Sequence, residues 1–449
     1  MNKYLKKIGL FLLLFLVVFI TVWLLGFINN CFDPLNSYGF SKAIMMGQVP
    51  YRDFNTITTP LYAFYQSVFL FIYDDFIMIM ISQVLLVTIS ACLIYKMFGK
   101  KSFILLLVVF LSQYKALVAT YNFMCLFMII LLIYLEKYHN DKDYLIGFVI
   151  GLGLLSKHIP GVFFIIPSIV FYRKSGNKLV RRFIGFLGPC LSFLIYLFAT
   201  DALFEFFNLC LFGMLDFGND NGVAGGNIHL FYIVTTLLTF IYSLYLLFKN
   251  KKDINIYYLI FGVFFAIPLF DITHTSIWFL CFCMIVLPYI KKYVREISYL
   301  CLVLSCFFSI FWIFMWFSFK ELCFTKELNH FRYYIQDKST YNNLLIIDKF
   351  VSEYDSPIIL GHFSMQYSII HDKELDSFSI LYRGNFGYNG IDKMLNKIKK
   401  MNDQIFLISI SDYKNSDKDS QFCKELAEYV IKNCKFIEEK NGFYVYYKE

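Results

Sequence analysis

The chain has 449 residues, 58% of them hydrophobic and 16% charged, with a mean hydropathy of +0.59. A soluble domain lies nearer about 45–50% apolar and about 25% charged, so this composition excludes an ordinary globular protein and calls for lipid over part of the surface. The formal net charge of +8 does not indicate nucleic acid, because most Lys and Arg of the apolar part sit in short clusters between hydrophobic runs, where such residues set membrane orientation.

Lys3, Lys6 and Lys7 precede an apolar run from Ile8 to Ile28. About twenty apolar residues without a small-residue cleavage site read as a retained first span rather than a signal peptide. Further spans are expected at roughly 76–95, 102–119, 121–135, 144–158, 160–172, 183–200, 228–248, 254–270, 276–290 and 298–318, about eleven in all. The short fifth and sixth share an expected tight turn at Ile159-Pro160-Gly161. Gly147 and Gly151 form a small-xxx-small pair suited to close helix packing.

Two other apolar stretches break the pattern. Residues 60–73 follow Thr58-Thr59, begin with Pro60 and are rich in aromatics. As a helix they reach about 21 Å, too short for a hydrocarbon core of about 30 Å. Residues 202–215 have Asp201, Glu205 and Asp216 in or beside them. Both stretches are expected to lie along the outer membrane surface.

Alternating the loops from an inner N-terminus gathers about nineteen basic residues inside, Lys96, Lys100, Lys101, Lys137, Arg173, Arg181, Arg182, Lys251, Lys252 and Lys291 among them. The outer side collects only Lys42, Arg52, Lys115 and Lys157. This asymmetry fixes the N-terminus inside, and an odd number of spans then puts the C-terminus outside.

Twelve cysteines are present, most within apolar runs, where Cys behaves as a small hydrophobe. There is no CxxC pair, and Cys423 and Cys434 show no framework spacing, so neither a disulfide network nor a zinc site is expected.

Polar residues of chemical interest gather on the expected outer face. The first outer loop holds Asp33, Lys42, Tyr51, Arg52 and Asp53; the turn LLSKHIPG holds Lys157 and His158; the turn PLFDITHTSIW holds Asp271 and His274. Each has a plain alternative: Asp33-Pro34 as a turn start, Arg52–Asp53 as an interfacial ion pair, Lys157 and His158 as turn residues. Three such clusters on one face favour a shared site, since ionisable groups at membrane depth are costly. A carboxylate at the lipid–water boundary can act as general base toward a hydroxyl, and nearby Lys, Arg and His can neutralise a departing phosphate. No P-loop, GxSxG, HExxH or GxGxxG motif is present, which removes support for nucleotide hydrolysis, serine esterase and zinc protease chemistry.

The first loop also resembles a known family. An Asp after the first span, then A-x₃-G-x-x-PYRDF (Ala43, Gly47, Pro50, Tyr51, Arg52, Asp53, Phe54), then Pro60-Leu61 opening an aromatic helix, resembles the GT-C superfamily of polyprenyl-phosphate-sugar glycosyltransferases. Within it the likeness is to the protein O-mannosyltransferase and aminoarabinose transferase type. LLSKHIPG resembles the recurring (T/S)K turn of these enzymes, and the Asp271–His274 segment a later outer loop. The likeness covers roughly residues 1–300. It implies a polytopic α-helical GT-C-like catalytic domain over 1–319 and an extracytoplasmic domain over 320–449. It implies residence in a bacterial plasma membrane, a polyprenyl-phosphate-linked sugar donor, and an extracytoplasmic glycan, lipid or protein acceptor. Asp33 then takes the catalytic-base position with Asp53 assisting, while Tyr51, Arg52, Lys157, His158, Asp271 and His274 are candidate substrate contacts. The family often has an acidic pair where this chain has Asp33-Pro34. No metal ligand set is evident and no cofactor is identified, while two outer carboxylates leave a divalent metal open.

Residues 320–449 read as a small α/β domain. Helices are expected at 341–355, over IDKMLNKIKK and over CKELAEYVIKN, and strands at PIILG 357–361, SILYRG 379–384, QIFLISIS and FYVYY 443–447. Gly384, Gly387 and Gly390 fit a turn rather than a nucleotide loop. The competing functions are a polysaccharide polymerase or ligase, which usually places its large outer loop between late spans, and a transporter or flippase, which tends to show internal repeats that are not evident here. A non-catalytic scaffold would need none of the outer acid–base clusters.

Overall fold

The structure is a computed structural model describing residues 2–26, 32–111, 117–213, 230–267, 270–290, 294–319, 321–381, 384–415 and 422–449. Lys115, Asp216 and Lys291, singled out above, lie outside the described residues.

The first helix, α1 (Asn2–Gly26), is apolar along most of its length. The next segment, expected as loop, is instead a helix, α2 (Phe32–Met45), with Asp33 in its first turn. Asp33-Pro34 is compatible with that position: a proline in the first turn forfeits no intrahelical hydrogen bond, and an acid there meets the positive end of the helix dipole. A short aromatic helix follows, α3 (Leu61–Leu70), burying Tyr62, Gln66, Ser67 and Leu70 and exposing Val68. The helix thus has one buried and one exposed face.

The bundle continues with α4 (Phe76–Phe98), α5 (Phe103–Leu111), α6 (Tyr121–Tyr138), α7 (Asp143–Ser156), α8 (His158–Phe163), α9 (Ile165–Tyr172) and α10 (Gly176–Ala199). It then runs through α11 (Leu203–Phe207), extended by a wide turn over Asn208–Phe212, to α12 (Leu230–Lys249), α13 (Ile254–Ile260), α14 (Ile272–Val286) and α15 (Val294–Phe319). Each expected span contains helix. Among the described residues five helical stretches are long and apolar enough to cross a membrane: Phe76–Val109, Tyr121–Tyr138, Gly176–Ala199, Leu230–Lys249 and Ile272–Tyr289. The first is interrupted at Gly99, whose φ of +59° turns the chain between α4 and α5.

The tight turn expected at 159–161 is not there. The chain bends instead at Lys157, which is extended (φ −158°, ψ 117°), and α8 runs through Pro160 and Gly161. Proline is tolerated in that first turn, and Gly161 lets α8 fold back on α7: a Cβ there would lie 2.3 Å from the Leu154 Cα.

Helices α7 and α10 cross at bare backbone. A Cβ on Gly147 would sit 1.9 Å from the Arg182 carbonyl oxygen, and one on Gly185 would sit 2.1 Å from that of Tyr144. At the same crossing Arg182 is buried, with Nη1 on Glu136 Oε1 at 2.5 Å, Nη2 on Oε2 at 3.1 Å and Nε on Asp143 Oδ1 at 3.1 Å. Arg182, grouped above with the exposed loop charges, therefore ties α6, α7 and α10 together as a buried, multiply bonded charge. The loops expected on the inner side meet at this end. Lys137 Nζ donates to the Met97 carbonyl (2.7 Å), Lys101 to that of Leu287 (3.1 Å) and Lys178 to that of Asn140 (3.3 Å).

Beyond α15 the chain forms an α/β unit. Strands β1 (Leu322–Phe324) and β2 (Ile335–Asp337) pair antiparallel. A four-stranded sheet has the order β3 (Ile358–Leu360), β4 (Gln404–Ser409), β6 (Phe443–Lys448), β5 (Lys435–Lys440), with β3–β4 parallel and the other pairs antiparallel. Strand alternation sorts its side chains between two layers. Leu407, Phe443 and Val445 face a cluster with Phe350, Val351 and Met365, while Phe406, Ile408 and Tyr446 face one with Met394, Ile398, Leu426 and Val430. The helices are α16 (Lys338–Val351) and α17 (Ser364–Ile370) on the first layer, and α18 (Gly390–Lys400) and α20 (Lys424–Asn433) on the second, with the short α19 (Ile410–Asn415) after β4.

One expected strand is not found: of residues 379–384, those described, 379–381 and 384, belong to no strand. Asp376 Oδ1 accepts from Phe378 N (2.8 Å) and from Ser379 Oγ (3.1 Å), a side-chain-held turn that competes with sheet pairing. An unexpected strand, β5, is a charged edge carrying Lys435, Glu438, Glu439 and Lys440, and Asn441-Gly442, both with positive φ, close its hairpin to β6.

The apolar core does not stop at the end of α15. Val22, Tyr38, Phe54, Phe76 and Ile79 share one cluster with Leu328, Phe331, Phe350, Ile359 and Met365. Gly39 accommodates the contact, for a Cβ there would lie 2.1 Å from Met365 Sδ.

Candidate functional site

Lys157 occupies the extended residue between α7 and α8, and its Nζ donates to Asn122 Oδ1 at 2.5 Å. The ammonium lies 5.4 Å from the centre of the Tyr121 ring and 5.6 Å from that of Phe265, near enough for attraction to both π faces. Asp271 and Asp33 both act on its charge. Charged groups of three segments distant in sequence, the first turn of α2, the α7–α8 bend and the start of α14, thus lie within electrostatic range of one another.

Asp271 is the N-cap of α14. Its Oδ1 accepts from the His274 backbone N–H and its Oδ2 from His274 Nδ1, each at 2.8 Å. With Nδ1 as donor, Nε2 of the buried imidazole is left as an acceptor in the neutral ring. His158, next in sequence to Lys157, opens α8 and is half-buried.

The Arg52–Asp53 pair has a different setting. Arg52 Nε and Nη2 donate to the two Asp53 oxygens at 2.8 and 2.9 Å, Val49 N donates to Asp53 Oδ2 at 2.7 Å, and Arg52 Nη1 donates to the Thr200 carbonyl at 3.3 Å. Both carboxylate oxygens are therefore engaged. The Arg52 hydrogen bonds, the larger influence, outweigh partial burial and hold the Asp53 carboxyl below its usual range. Tyr51 is buried at φ +73°, donates its hydroxyl to the Thr58 carbonyl at 2.8 Å and packs on Phe206. These three residues shape the loop between α2 and α3 and fix it to the end of α10.

A second polar cluster joins the two parts of the chain. Lys42 of α2 is buried; its Nζ bonds Asp74 and donates to Asp372 Oδ1 at 2.6 Å. His330 Nδ1 donates to the Asp74 carbonyl at 2.9 Å, and its Nε2 lies 2.9 Å from Asp372 Oδ1, with Lys42 Nζ at 3.1 Å and Asn329 Nδ2 at 2.9 Å around it. Around it Tyr38 Oη donates to Asp74 Oδ1 (3.0 Å), Arg332 N donates to Asp75 Oδ2 (3.2 Å), and Gln48 bonds both the carbonyl and, through Oε1, the N–H of Leu375. Asp74, His330 and Asp372 present ligand atoms close enough together to hold a cation. The Lys42 ammonium already supplies positive charge to both carboxylates, so the donor set suits an ion pair better than a divalent metal.

Sequence reading did not single out Asn122, Asp74, His330 or Asp372. The doubled acid Asp74-Asp75 after an aromatic surface helix was an available signal. Nothing in the local sequence marks the other three.

No model of a known protein family matches the sequence, and neither does any curated protein. Solved structures do match. ArnT from Cupriavidus metallidurans bound to undecaprenyl phosphate superposes over 98% of this chain and 98% of its own, at 11% identity and a TM-score of 0.56. The apo state of ArnT gives 99% and 98%, 10% identity and a TM-score of 0.52. The chain therefore shares the overall fold of that structure. The shared fold runs through the C-terminal α/β unit, and the five long apolar helical stretches fit a multi-pass membrane protein.

Proposed function

We propose that this protein transfers a sugar from a polyprenyl-phosphate donor to an acceptor on the outer side of a bacterial plasma membrane, inverting the anomeric centre. The placement of the Lys157 ammonium on Asn122 and against the Tyr121 and Phe265 rings, with Asp33 and Asp271 within electrostatic range, is the observation that supports this reading most. The GT-C fold, shared with a protein whose structure holds undecaprenyl phosphate, supports the nature of the donor. In this reading Asp33 takes the proton of the acceptor hydroxyl as its oxygen attacks the anomeric carbon opposite the phosphate. The bond from that carbon to the phosphate oxygen breaks, and the electron pair leaves with the polyprenyl phosphate. Lys157 meets the charge that develops there. The His274 imidazole, oriented by Asp271, is a contact for the sugar hydroxyls. The acceptor is an envelope glycan, lipid or protein bearing a free hydroxyl.

Purified protein in lipid, supplied with polyprenyl-phosphate sugars and candidate acceptors, tests this directly. Asp33→Asn is expected to lower turnover by about 10²–10⁴-fold with donor affinity little changed. Full activity in that variant sinks the assigned base. Asp53→Asn is expected to cost less, because both Asp53 oxygens are held by Arg52 and the Val49 amide.

A further inference from the structure

Asn122 is fully buried at the N-terminal end of α6, an 18-residue helix whose N-cap, Thr120, offers no side-chain hydrogen bond. Its Oδ1 accepts from Lys157 Nζ, which settles which end of the amide faces the lysine, since an ammonium can only donate. The other end, Nδ2, is buried with no hydrogen-bond partner among the described residues. Leaving a buried amide N–H₂ unpaired is costly, and such groups are found where a ligand completes the bonding. This donor stands beside a lysine and at the positive end of a helix dipole, three features that each favour an anion. The local acid Asp271 does not compete for it, being closed on the His274 backbone and ring.

We propose that Asn122 is a ligand-binding residue whose Nδ2–H donates to an anionic phosphoryl oxygen held beside Lys157. For the identity of that anion as a polyprenyl phosphate, this rests on the transferase reading above. Lys157 supplies the charge, and Asn122 supplies direction. A neutral amide adds a second donor without a second positive charge, and it fixes Lys157 through Oδ1 while binding through Nδ2.

The test uses the full chain in detergent with undecaprenyl phosphate as probe and undecaprenol, which lacks the phosphate, as control. Asn122→Asp keeps the acceptor for Lys157 and removes the donor, so folding is preserved. Asn122→Leu removes the donor without adding charge. Both variants are expected to bind undecaprenyl phosphate about tenfold more weakly or worse, with undecaprenol binding unchanged. Asn122→Asp should melt at or above the wild-type temperature. Retention of affinity within twofold in Asn122→Leu overturns the proposal, as does an equal loss for both lipids, which marks a structural effect. The two readings separate cleanly. Asn122-dependent phosphate binding without any sugar transfer keeps this site and sinks the transferase. Transfer abolished by Asp33→Asn but untouched by Asn122→Leu does the reverse.

Discussion

Lys42 has the most to lose from a single substitution outside the candidate site. It is buried, and its ammonium is shared by Asp74, Asp372 and the imidazole of His330. Lys42→Met removes the cation and leaves its acceptors facing one another, an expected loss of about 1–3 kcal/mol. Hydrogen exchange should rise first in the segment around His330, whose backbone is bonded to the Asp74–Phe76 turn, and unchanged protection there would show that the apolar contacts alone hold the joint. Asp372 is half-exposed, so Asp372→Asn should cost less than Lys42→Met. The acids and bases at both clusters were visible in the sequence as residue types, and the grouping of Lys157 with Asp33 and Asp271 as one outer site was an expectation from loop parity. Partnership was not visible. Asp53, paired with Arg52 and the Val49 amide, looked much like Asp33 on paper, and Asn122 was indistinguishable from any polar residue at a helix end.

At the scale of elements, the crossing of α7 and α10 depends on missing side chains. Gly147 was legible as half of a small-xxx-small pair, and the structure puts its Cα hydrogen against the Arg182 carbonyl. Gly147→Ala is expected to force the helices apart and to lower the melting temperature in detergent, at a cost of about 1–3 kcal/mol. Gly188→Ala on the facing helix α10 is the control, since its Cβ would meet only Phe148 Cδ2, at an ordinary 3.7 Å. Equal effects of the two substitutions would mean that helix propensity, rather than the close crossing, is being measured. Helices with long apolar runs and strands with a short continuous apolar run, such as Gln404–Ser409, were readable from the sequence. The failures were local. Proline and glycine at 160–161 suggested a turn where a helix begins, Asp376 holds a turn where apolar residues suggested a strand, and the charged β5 concealed its hairpin, although Asn441-Gly442 was the available cue.

At the scale of the molecule, the C-terminal unit rests on α2 and the residues around it through a shared apolar cluster and through Lys42. It also reaches a second surface stretch, where Tyr388 N donates to Asn208 Oδ1 at 3.2 Å and a Cβ on Gly387 would strike the Asn208 amide. The unit therefore bridges α2 and the turn after α11. Its docking should depend on acid in a definite direction. Partial burial alone would raise the Asp372 carboxyl, but the hydrogen bonds from Lys42 and His330 outweigh it and hold the group below its usual range. A carboxyl lowered in the folded state contributes stability that is fully present above its unfolded value, about 3.9, and is lost as pH falls through the folded value. Distance between labels on α2 and α17 should accordingly stay constant from pH 7 to about 5 and lengthen only below about 4. Lengthening that begins near pH 6 would assign the joint to a different titrating group.

Hydrophobicity and charge are properties summed along a chain, and the sequence by itself determined what depends on them. That covers a membrane-embedded helical body, a more polar α/β end, and the gathering of unusual acids and bases on particular loops. Contact depends on how helices far apart in sequence cross, and only the tertiary structure decided it. Lys157 meets Asn122 because α8 folds back over Gly161, and Lys42 meets Asp372 across 330 residues because one apolar core runs from α1 into the C-terminal sheet. No local pattern encodes a pairing of that range, since the energy that selects it is spread over the whole packed interface.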